Sequence, residues 1–436
     1  MIQKLSAVTT LSGSVMLPGD KSISHRYAML SAIAEGDSVI RHFAASRDCH
    51  STLHCLSALG AAVDETGDTV TIRGRGLRGL RAPEKPLDAE NSGTTIRLLS
   101  GILAGQDFAC SLTGDDSLSN RPMGRIIQPL RLMGVEIKSR ERELPPLVIS
   151  GGALKGIRYS LPVASAQVKS CVLLAGLYAA GTTAVEETIP TRDHTEIALR
   201  EFGGNVRVSG NWIEVDPVPR LRAQQLTVPG DLSGAAFFLV AAAVVPDSEL
   251  TLPCVSLNGR RRELLNYLER AGMDISVENE TVEAGEARGD LRVRYNPAFL
   301  KRRMPDIKGA ETAALIDEIP VLAVLGAETA GGLEISDAGE LRVKESDRIS
   351  TLADNLRAMG ADVVEKPDGL IIRGGRKLRG ADIVTRKDHR IAMAFAVAGL
   401  AADGETHIHD AECANVSFPD FWNALKAIAR SRKSIL

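Results

Sequence analysis

The sequence predicts an α/β protein of two similar domains, each with three βαβαββ repeats around buried helices. Three observations support this prediction. The chain has 436 residues, which is too many for one ordinary hydrophobic core. An apolar pattern recurs six times, and an amphipathic pattern recurs between its copies. Three repeats in each of two domains account for the six copies.

The apolar pattern predicts a helix that is surrounded by other elements. Each copy begins with polar residues or glycine, continues with Ala, Gly and Leu on all sides, and ends before a β-rich run. The copies span residues 20–40, 91–114, 163–187, 230–252, 316–336 and 388–409.

The amphipathic pattern predicts an outer helix that ends at a glycine, followed by two short strands. Its copies are 48–74, 346–374 and segments that begin near Met123, Asp193 and Arg261; the last, SFPDFWNALKAIAR, is predicted as a helix only. Together the two patterns make the βαβαββ unit.

Two Pro-Gly-Asp motifs mark the predicted domain boundary. LPGD covers 17–20 and VPGD covers 228–231. If both are crossing strands, one domain spans 20–229 and the other combines 1–19 with 230–436. We expect the crossings to lie side by side as a hinge.

Composition is typical of a globular cytoplasmic protein. Hydrophobic residues make up 44% and charged residues 25%, and the net charge of -3 gives no overall attraction to nucleic acid or anionic membranes. The N-terminus lacks a signal-peptide pattern, and the longest apolar run, 235–245, is too short to span a bilayer.

The six cysteines form no C-x-x-C pair, so we expect reduced thiols. In DCHSTLHC, His50 and His54 would share a helix face that Cys49 and Cys55 do not, so we expect no metal site.

The starts of the apolar helices carry polar groups that a helix cap does not require. PGDKSISHR places Lys21, Ser22 and Arg26 at a helix start, where free N–H groups and the helix dipole favour anions. Similar groups occur at Asn91–Thr94 with Arg97, at Ser165, Gln167 and Lys169, at Asp317 and Glu318, at Asp388–Arg390, and in the loops SNRPMGR and ELRVKESDR. If these starts converge on one cleft, it is cationic with a few carboxylates, which suits substrates with several anionic groups.

The chain closely resembles the 5-enolpyruvylshikimate-3-phosphate (EPSP) synthase family nearly end to end. The motifs that carry this resemblance are PGDKSISHR, NSGTTIRLL, RPMGR, VASAQVKS, TRDHTE, IDEIP, LRVKESDR and DHRIAM. The resemblance implies the enolpyruvyl transferase fold, in which two inverse α/β-barrel-like domains close on a central cleft. The SAQVKS and TRDHTE forms resemble a bacterial subgroup that tolerates glyphosate.

The resemblance also implies the reaction and its residues. The enolpyruvyl group of phosphoenolpyruvate would pass to the 5-hydroxyl of shikimate 3-phosphate through a tetrahedral intermediate, releasing phosphate. Shikimate 3-phosphate would bind Lys21, Ser22, Arg26, Ser165, Gln167, Arg192, Asp317 and Lys344. Phosphoenolpyruvate would bind Lys21, Gly93, Arg121, Gln167, Arg348 and Arg390. Asp317 would accept the hydroxyl proton, and Glu345 would exchange a proton with the methylene carbon, assisted by Lys21 and His389. We expect a monomer without cofactor, metal, nucleic acid or membrane partner.

Four positions depart from the family pattern. Glu90 replaces a glycine before the Asn, LNGRRREL (257–264) replaces LNPTRTG, Val416 replaces a lysine of some members, and Ala166 replaces a serine of others. The first adds a carboxylate beside the phosphoenolpyruvate helix, and the second is expected to alter packing before chemistry.

Three alternatives remain at this stage. A transferase acting on UDP-N-acetylglucosamine shares the fold, but its reactive loop generally carries a cysteine that GDDSLSNRPMGR lacks. RNA 3′-phosphate cyclases need a nucleotidylated histidine motif that we do not find. A non-catalytic anion-binding paralogue would bind the substrates without turnover.

Overall fold

A computed structural model describes residues 1–430 of the chain, and residues 431–436 of the predicted second domain lie outside the described residues. The chain forms two compact units. The first unit contains Gly19–Pro229 and Val282–Glu286, and the second unit contains Met1–Pro18, Gly230–Thr281 and the chain from Ala287 onward.

The helices, in chain order, are α1 (Lys21–Ile33), α2 (Arg47–Ala58), α3 (Gly93–Ala104), α4 (Gly124–Leu132), α5 (Ala166–Gly176), α6 (His194–Glu201), α7 (Leu232–Val244), α8 (Glu263–Ala271), α9 (Pro297–Leu300), α10 (Ala310–Leu315), α11 (Ile319–Glu328), α12 (Arg348–Ala358), α13 (His389–Ala401) and α14 (Phe421–Ile428). All six predicted apolar segments contain a helix, namely α1, α3, α5, α7, α11 and α13. The amphipathic segments, which the sequence predicts as outer helices, contain α2, α4, α6, α8, α12 and α14.

The strands, in chain order, are β1 (Ile2–Ser6), β2 (Thr10–Ser14), β3 (Glu35–Arg41), β4 (Ala62–Thr66), β5 (Thr69–Arg75), β6 (Leu87–Asp88), β7 (Ala109–Thr113), β8 (Glu136–Arg140), β9 (Leu144–Ser150), β10 (Leu154–Lys155), β11 (Arg158–Ser160), β12 (Ala179–Ala180), β13 (Thr183–Glu186), β14 (Asn205–Ser209), β15 (Trp212–Asp216), β16 (Gln225–Thr227), β17 (Glu249–Ser256), β18 (Asp274–Glu283), β19 (Glu286–Arg294), β20 (Leu333–Ile335), β21 (Asp362–Lys366), β22 (Gly369–Arg373), β23 (Asp382–Ile383), β24 (Glu405–His409) and β25 (Ala429–Arg430).

The first unit repeats one sheet topology three times. Its four-stranded sheets have the orders β6-β7-β9-β8, β11-β13-β15-β14 and β16-β3-β5-β4. In each sheet the first pair is parallel and the other pairs are antiparallel. A parallel pair needs a crossover, and α3 and α5 supply it for the first two sheets. In the third sheet, β16 comes from the end of this unit and takes the first-strand position beside β3, which follows α1. The predicted βαβαββ unit is therefore confirmed here.

The second unit carries the same pattern, but the number of strands differs from sheet to sheet. Its sheets have the orders β18-β19-β17-β2-β25, β20-β22-β21 and β1-β24-β23. In the middle repeat the first strand is reduced to a single parallel bridge between Ile307 and Ile335. In the last repeat, β1 from the start of the chain completes the sheet by pairing with β24. The α/β fold class predicted from the sequence is confirmed.

Small residues let the apolar helices pack closely within each unit. In α3, a Cβ added to Gly101 would lie 2.2 Å from the Cys171 carbonyl oxygen of α5, so only glycine permits this approach. Every residue of α7 except Gly234 is buried. Over residues 1–430, no helix has both the length and the apolar character needed to cross a membrane.

Both Pro-Gly-Asp motifs make backbone hydrogen bonds inside one unit. In the first unit, the Asp20 N–H donates to the Pro229 carbonyl oxygen at 2.7 Å. In the second unit, the Asp231 N–H donates to the Pro18 carbonyl oxygen at 2.9 Å. The aspartates also cap α1 and α7, so each motif orients the start of an apolar helix.

Candidate active site

Lys21 is the first residue of α1 and pairs with a carboxylate of α2. Its Nζ donates to Asp48 Oδ2 at 2.7 Å, and both side chains are mostly buried. Asp48 lies in the first turn of α2, which Ser46 caps. Because the carboxylate holds the ammonium group in place, Lys21 is oriented before any ligand arrives.

Arg26 lies one turn further along α1 and is almost fully buried. Its Nε donates to Thr195 Oγ1 at 2.6 Å, its Nη1 to the Ser22 carbonyl oxygen at 2.7 Å, and its Nη2 to Ser170 Oγ at 2.8 Å. Burial lowers the pKa of Arg26 to about 10, which is still far above neutral pH. The guanidinium is therefore charged, and its hydrogen-bond partners are neutral groups.

His25, in the same motif, belongs to the interior. Its Nδ1 lies 2.7 Å from Thr52 Oγ1, which in turn lies 2.7 Å from Thr95 Oγ1, so the three groups join α1, α2 and α3. Burial lowers the pKa of His25 to about 3, so the imidazole is neutral and structural at physiological pH.

Gly93 opens α3 beneath two guanidinium groups. An added Cβ would lie 2.7 Å from Arg97 Nη1 and 3.4 Å from Arg121 Nη1, so a side chain here would displace them. Arg121 Nη2 donates to Asn91 Oδ1 at 2.7 Å, and Arg97 Nη1 donates to Gln167 Oε1 at 2.7 Å. The start of α3 therefore combines free N–H groups with two cations, an arrangement suited to an anion.

Lys169 in α5 is fully buried. Its Nζ lies 3.0 Å from Glu187 Oε2 and 2.7 Å from Glu196 Oε1. The sequence grouped Lys169 with the polar residues of the cleft, but its two carboxylate partners make it part of the interior. The start of the same helix carries Ser165 as the cap and Gln167 in the first turn.

In the second unit, Arg348 opens α12 and is 1% exposed. Its Nε donates to Asp388 Oδ2 at 2.8 Å and its Nη2 to Glu345 Oε2 at 2.6 Å. Burial lowers the pKa of Arg348, but Asp388 and Glu345 outweigh it, so the pKa is raised overall. Its Nη1 is buried and makes no hydrogen bond within residues 1–430, and Asp317 Oδ1 lies 3.9 Å from it.

Asp317 precedes α11 and also contacts Arg390. Arg390 Nη1 donates to the Asp317 carbonyl oxygen at 2.7 Å, and Arg390 Nη2 lies 3.8 Å from Asp317 Oδ2. Asp388, the cap of α13, accepts from the Arg390 N–H as well as from Arg348. The starts of α11, α12 and α13 thus bring two arginines and three carboxylates together.

The remaining predicted residues lie at the ends of these elements. Lys344 and Glu345 follow a short 3-10 turn, Gly339–Val343, and His389 is the buried first residue of α13. Ser22 follows Lys21 in α1. In the first unit, Arg192 precedes α6 and lies close enough to Arg26 to lower its pKa.

Sequence reasoning missed several partners of these residues. Asp48 lies in DCHSTLHC, where an Asp in the first turn of a helix is the available signal for a partner of Lys21. The sequence places Asp388 and Glu318 at helix starts, but the arginines that they approach, Arg348 and Arg390, belong to other helices and give no local signal.

Glu90 occupies a left-handed backbone conformation with φ of 50°. Its N–H donates to Asp88 Oδ1 at 2.8 Å, and its carbonyl oxygen accepts from the Asp115 N–H at 2.8 Å. This conformation favours glycine, the residue that the family pattern has at this position.

The chain is similar to many known sequences over nearly its whole length. The family model of EPSP synthase (3-phosphoshikimate 1-carboxyvinyltransferase) matches residues 5–425. The 3-phosphoshikimate 1-carboxyvinyltransferase of Solibacter usitatus is 52% identical over 98% of this chain and 100% of that relative. The protein of the same name from Salinibacter ruber is 51% identical over 99% of this chain and 100% of its own length. The structure of EPSP synthase from Acinetobacter baumannii has a TM-score of 0.88 and 42% identity, covering 99% of this chain and 98% of that one.

Proposed function

The chain belongs to the EPSP synthase family. We propose how residues of its two units carry out that family's reaction. The reaction transfers the enolpyruvyl group of phosphoenolpyruvate to the 5-hydroxyl of shikimate 3-phosphate and releases phosphate. It is a step of aromatic amino acid biosynthesis. The matched relatives are named for this activity, so the UDP-N-acetylglucosamine transferase and the non-catalytic paralogue are not favoured.

The first unit supplies most of the binding groups for shikimate 3-phosphate. We assign Ser22, Arg26, Ser165, Gln167 and Arg192 to this substrate. The neutral partners of Arg26 support the assignment, because they orient the guanidinium without cancelling its charge. This is the role expected of the predicted 20–229 domain, with the segments 17–20 and 228–231 as its hinge.

Phosphoenolpyruvate needs cations for both its phosphate and its carboxylate. In the first unit we assign Lys21, Gly93, Arg121 and Gln167 to it, because the bare start of α3 lies under two guanidinium groups. In the second unit we assign Arg348 and Arg390. Negative charge persists on the departing phosphate throughout the reaction, so preformed cations favour the transition state.

One observation carries the catalytic assignment: Arg348 presents a buried, unbonded Nη1 beside two carboxylates. A buried donor without an acceptor is costly, which points to a ligand oxygen as its partner. Glu345 and Asp317 flank the same guanidinium and become the groups that move protons. Asp317 accepts the proton of the 5-hydroxyl near Lys344, and Glu345 exchanges a proton with the methylene carbon, assisted by Lys21 and His389.

The enzyme is proposed to be a cytoplasmic monomer. All six cysteines are free, and five of them are buried, which fits a reducing compartment. The large apolar side chains that are exposed, such as Met16, Leu132 and Val208, lie on separate elements. Weak inhibition by glyphosate stays a prediction from the SAQVKS and TRDHTE motifs.

The test is phosphate release from purified protein given both substrates, with Asp317→Ala measured beside it. We expect release that requires both substrates and falls by about 10²- to 10⁴-fold in the variant, while calorimetry shows that shikimate 3-phosphate still binds. Asp354→Ala is the matched control, because Asp354 is an exposed carboxylate of α12 that pairs with Arg357, one turn further along the same helix, at 3.6 Å. Equal loss in both variants, or none in either, would contradict the role of Asp317.

A further inference from the structure

The unusual segment LNGRRREL contains one buried arginine between two more accessible ones. Arg261 is 7% exposed, whereas Arg260 is exposed and Arg262 pairs with Glu280 on the surface. Asn258 orders the turn, since its Oδ1 accepts from the Arg260 N–H and its carbonyl oxygen accepts from the Arg261 N–H. Although LNGRRREL departs from the family pattern, the side chain of Arg261 is buried in the second unit.

Arg261 reaches the start of α7. Its Nη2 donates to Ser233 Oγ at 2.6 Å and lies 3.3 Å from Asp231 Oδ1. The Ser233 hydroxyl in turn donates to Glu318 Oε1. A short chain of hydrogen bonds thus links Arg261 to the carboxylate that precedes α11.

Glu318 lies between two arginines. Its Oε1 is 4.0 Å from Arg261 Nη2 and 4.0 Å from Arg390 Nη1. Both distances exceed a hydrogen bond, so neither of these guanidinium nitrogens donates to Glu318 Oε1. The side chains of Glu318 and Arg261 are at most 5% exposed, so water screens this arrangement weakly.

We propose that Arg261 and Glu318 are positioning residues that set the affinity of Arg390 for the anionic group of phosphoenolpyruvate. Arg261 and Ser233 hold the Glu318 carboxylate away from Arg390, which keeps the Arg390 donors available to the substrate. The inference rests on the proposed role of Arg390.

The physical reason is competition for one guanidinium. Within residues 1–430, Glu318 forms ion pairs with Arg261 and Arg390, so loss of Arg261 leaves Arg390 as its cationic partner. The attraction between Glu318 and Arg390 grows as the two approach. A direct pair between them would occupy donors that the substrate needs. The loss should therefore appear in the affinity for phosphoenolpyruvate, and removal of the Glu318 charge should reverse it.

The experiment measures steady-state kinetics of Arg261→Gln, Glu318→Gln and the double variant. We expect Arg261→Gln to raise the KM for phosphoenolpyruvate about tenfold, with kcat and the KM for shikimate 3-phosphate within about threefold of wild type. The double variant should return the KM for phosphoenolpyruvate to within about threefold of wild type. Arg260→Gln, the exposed neighbour, is the matched control and should change nothing.

Two results would overturn the proposal. One is an unchanged KM for phosphoenolpyruvate in Arg261→Gln, and the other is a loss that Glu318→Gln does not reverse, which would indicate a purely structural role. If Arg261→Gln does not fold, Glu318→Gln alone decides: its KM for phosphoenolpyruvate should fall below wild type, and an unchanged value rejects the proposal.

Failure of the proposed function is separable from failure of this inference. If the wild-type protein releases no phosphate from the two substrates, the proposed function fails. Binding of inorganic phosphate, followed by thermal shift, then tests the inference: Arg261→Gln should weaken it and the double variant should restore it. Equal phosphate binding in all variants would overturn the inference.

Discussion

The first unit holds its buried Arg26 with neutral acceptors, whereas the second unit holds its buried Arg348 with carboxylates. Arg26 donates to two hydroxyls and a carbonyl group, and Arg348 donates to Asp388 and Glu345. Neutral partners leave the positive charge for a ligand, while carboxylate partners offset it and place bases at the site. The difference favours anion binding in the first unit, and in the second unit it is also consistent with the proton transfer that we propose.

The largest expected effect comes from Asp388→Asn, which removes the charge that Arg348 depends on. Asn can still cap α13, so the change isolates the ion pair. We expect a loss of about 3 kcal/mol in the free energy of unfolding and a fall in kcat of about 100-fold, measured by denaturant unfolding and phosphate release. Asp347→Asn is the control, because Asp347 caps α12 and pairs with Arg342 at a much more exposed position. Similar losses in both variants would break the comparison.

Arg26→Lys should have the next largest effect. A lysine cannot reach Thr195, Ser170 and the Ser22 carbonyl oxygen in one geometry, so buried acceptors lose their donor at a cost of about 1–3 kcal/mol. The KM for shikimate 3-phosphate should rise about tenfold, with a smaller change in kcat. Arg207→Lys, at an exposed pair with Asp216, should alter neither quantity. A change in kcat alone would show that Arg26 acts in chemistry and not in binding.

The buried carboxylates that contact Lys169, Glu187 and Glu196, predict a pH dependence of stability. Burial raises the pKa of Glu196 above its ordinary 4.5 although Lys169 opposes the shift, and its Oε2 makes no hydrogen bond within the described chain. The folded protein then keeps this proton at pH values where the unfolded chain has lost it. This contribution to stability is full below about pH 4.5 and declines as the pH rises above it.

Glu196→Gln removes the ionisable carboxyl group, so the stability of this variant should decline less than that of wild type as the pH rises. Thermal unfolding of wild type and variant between pH 4.5 and 8 measures the difference, which should widen as the pH rises. Glu186→Gln, at a partly exposed carboxylate of the same unit, should follow wild type. Parallel curves for wild type and Glu196→Gln would contradict a raised pKa of Glu196 in the folded protein.

The smallest expected effect concerns Glu90, an exposed acidic residue that precedes the start of α3. Glu90→Gly should relieve the left-handed strain, offset by the greater freedom of glycine in the unfolded chain, for a net gain below about 1 kcal/mol. It should also lower the KM for phosphoenolpyruvate about twofold, and less at high salt because Glu90 is exposed. Glu90→Ala removes the charge but keeps the Cβ, so it should change the KM without the gain in stability. A salt-independent KM would argue against an electrostatic effect.

Much of the fold was accessible to sequence reasoning because its signals are local. The all-round apolar helices, the polar residues or glycine at their starts and the β-rich runs that follow recur with recognisable spacing, so the sequence locates α1, α3, α5, α7, α11 and α13 correctly. The cationic motifs at their starts were equally visible, since a lysine or arginine at a helix start stands out against the usual caps. The assignment of individual roles came from family resemblance and stays a set of predictions.

The sequence by itself determined the repeats, the helix positions and the kinds of charged group at each helix start. Only the tertiary structure decided which charges are compensated. Lys21 meets Asp48 across 27 residues, Arg348 meets Asp388 across 40, and Arg390 approaches Glu318 from another helix. The physical reason is that helix periodicity reports burial of one face, whereas the energy of a charge depends on its partner's distance and on exclusion of water. Those quantities exist only once distant segments are folded against one another.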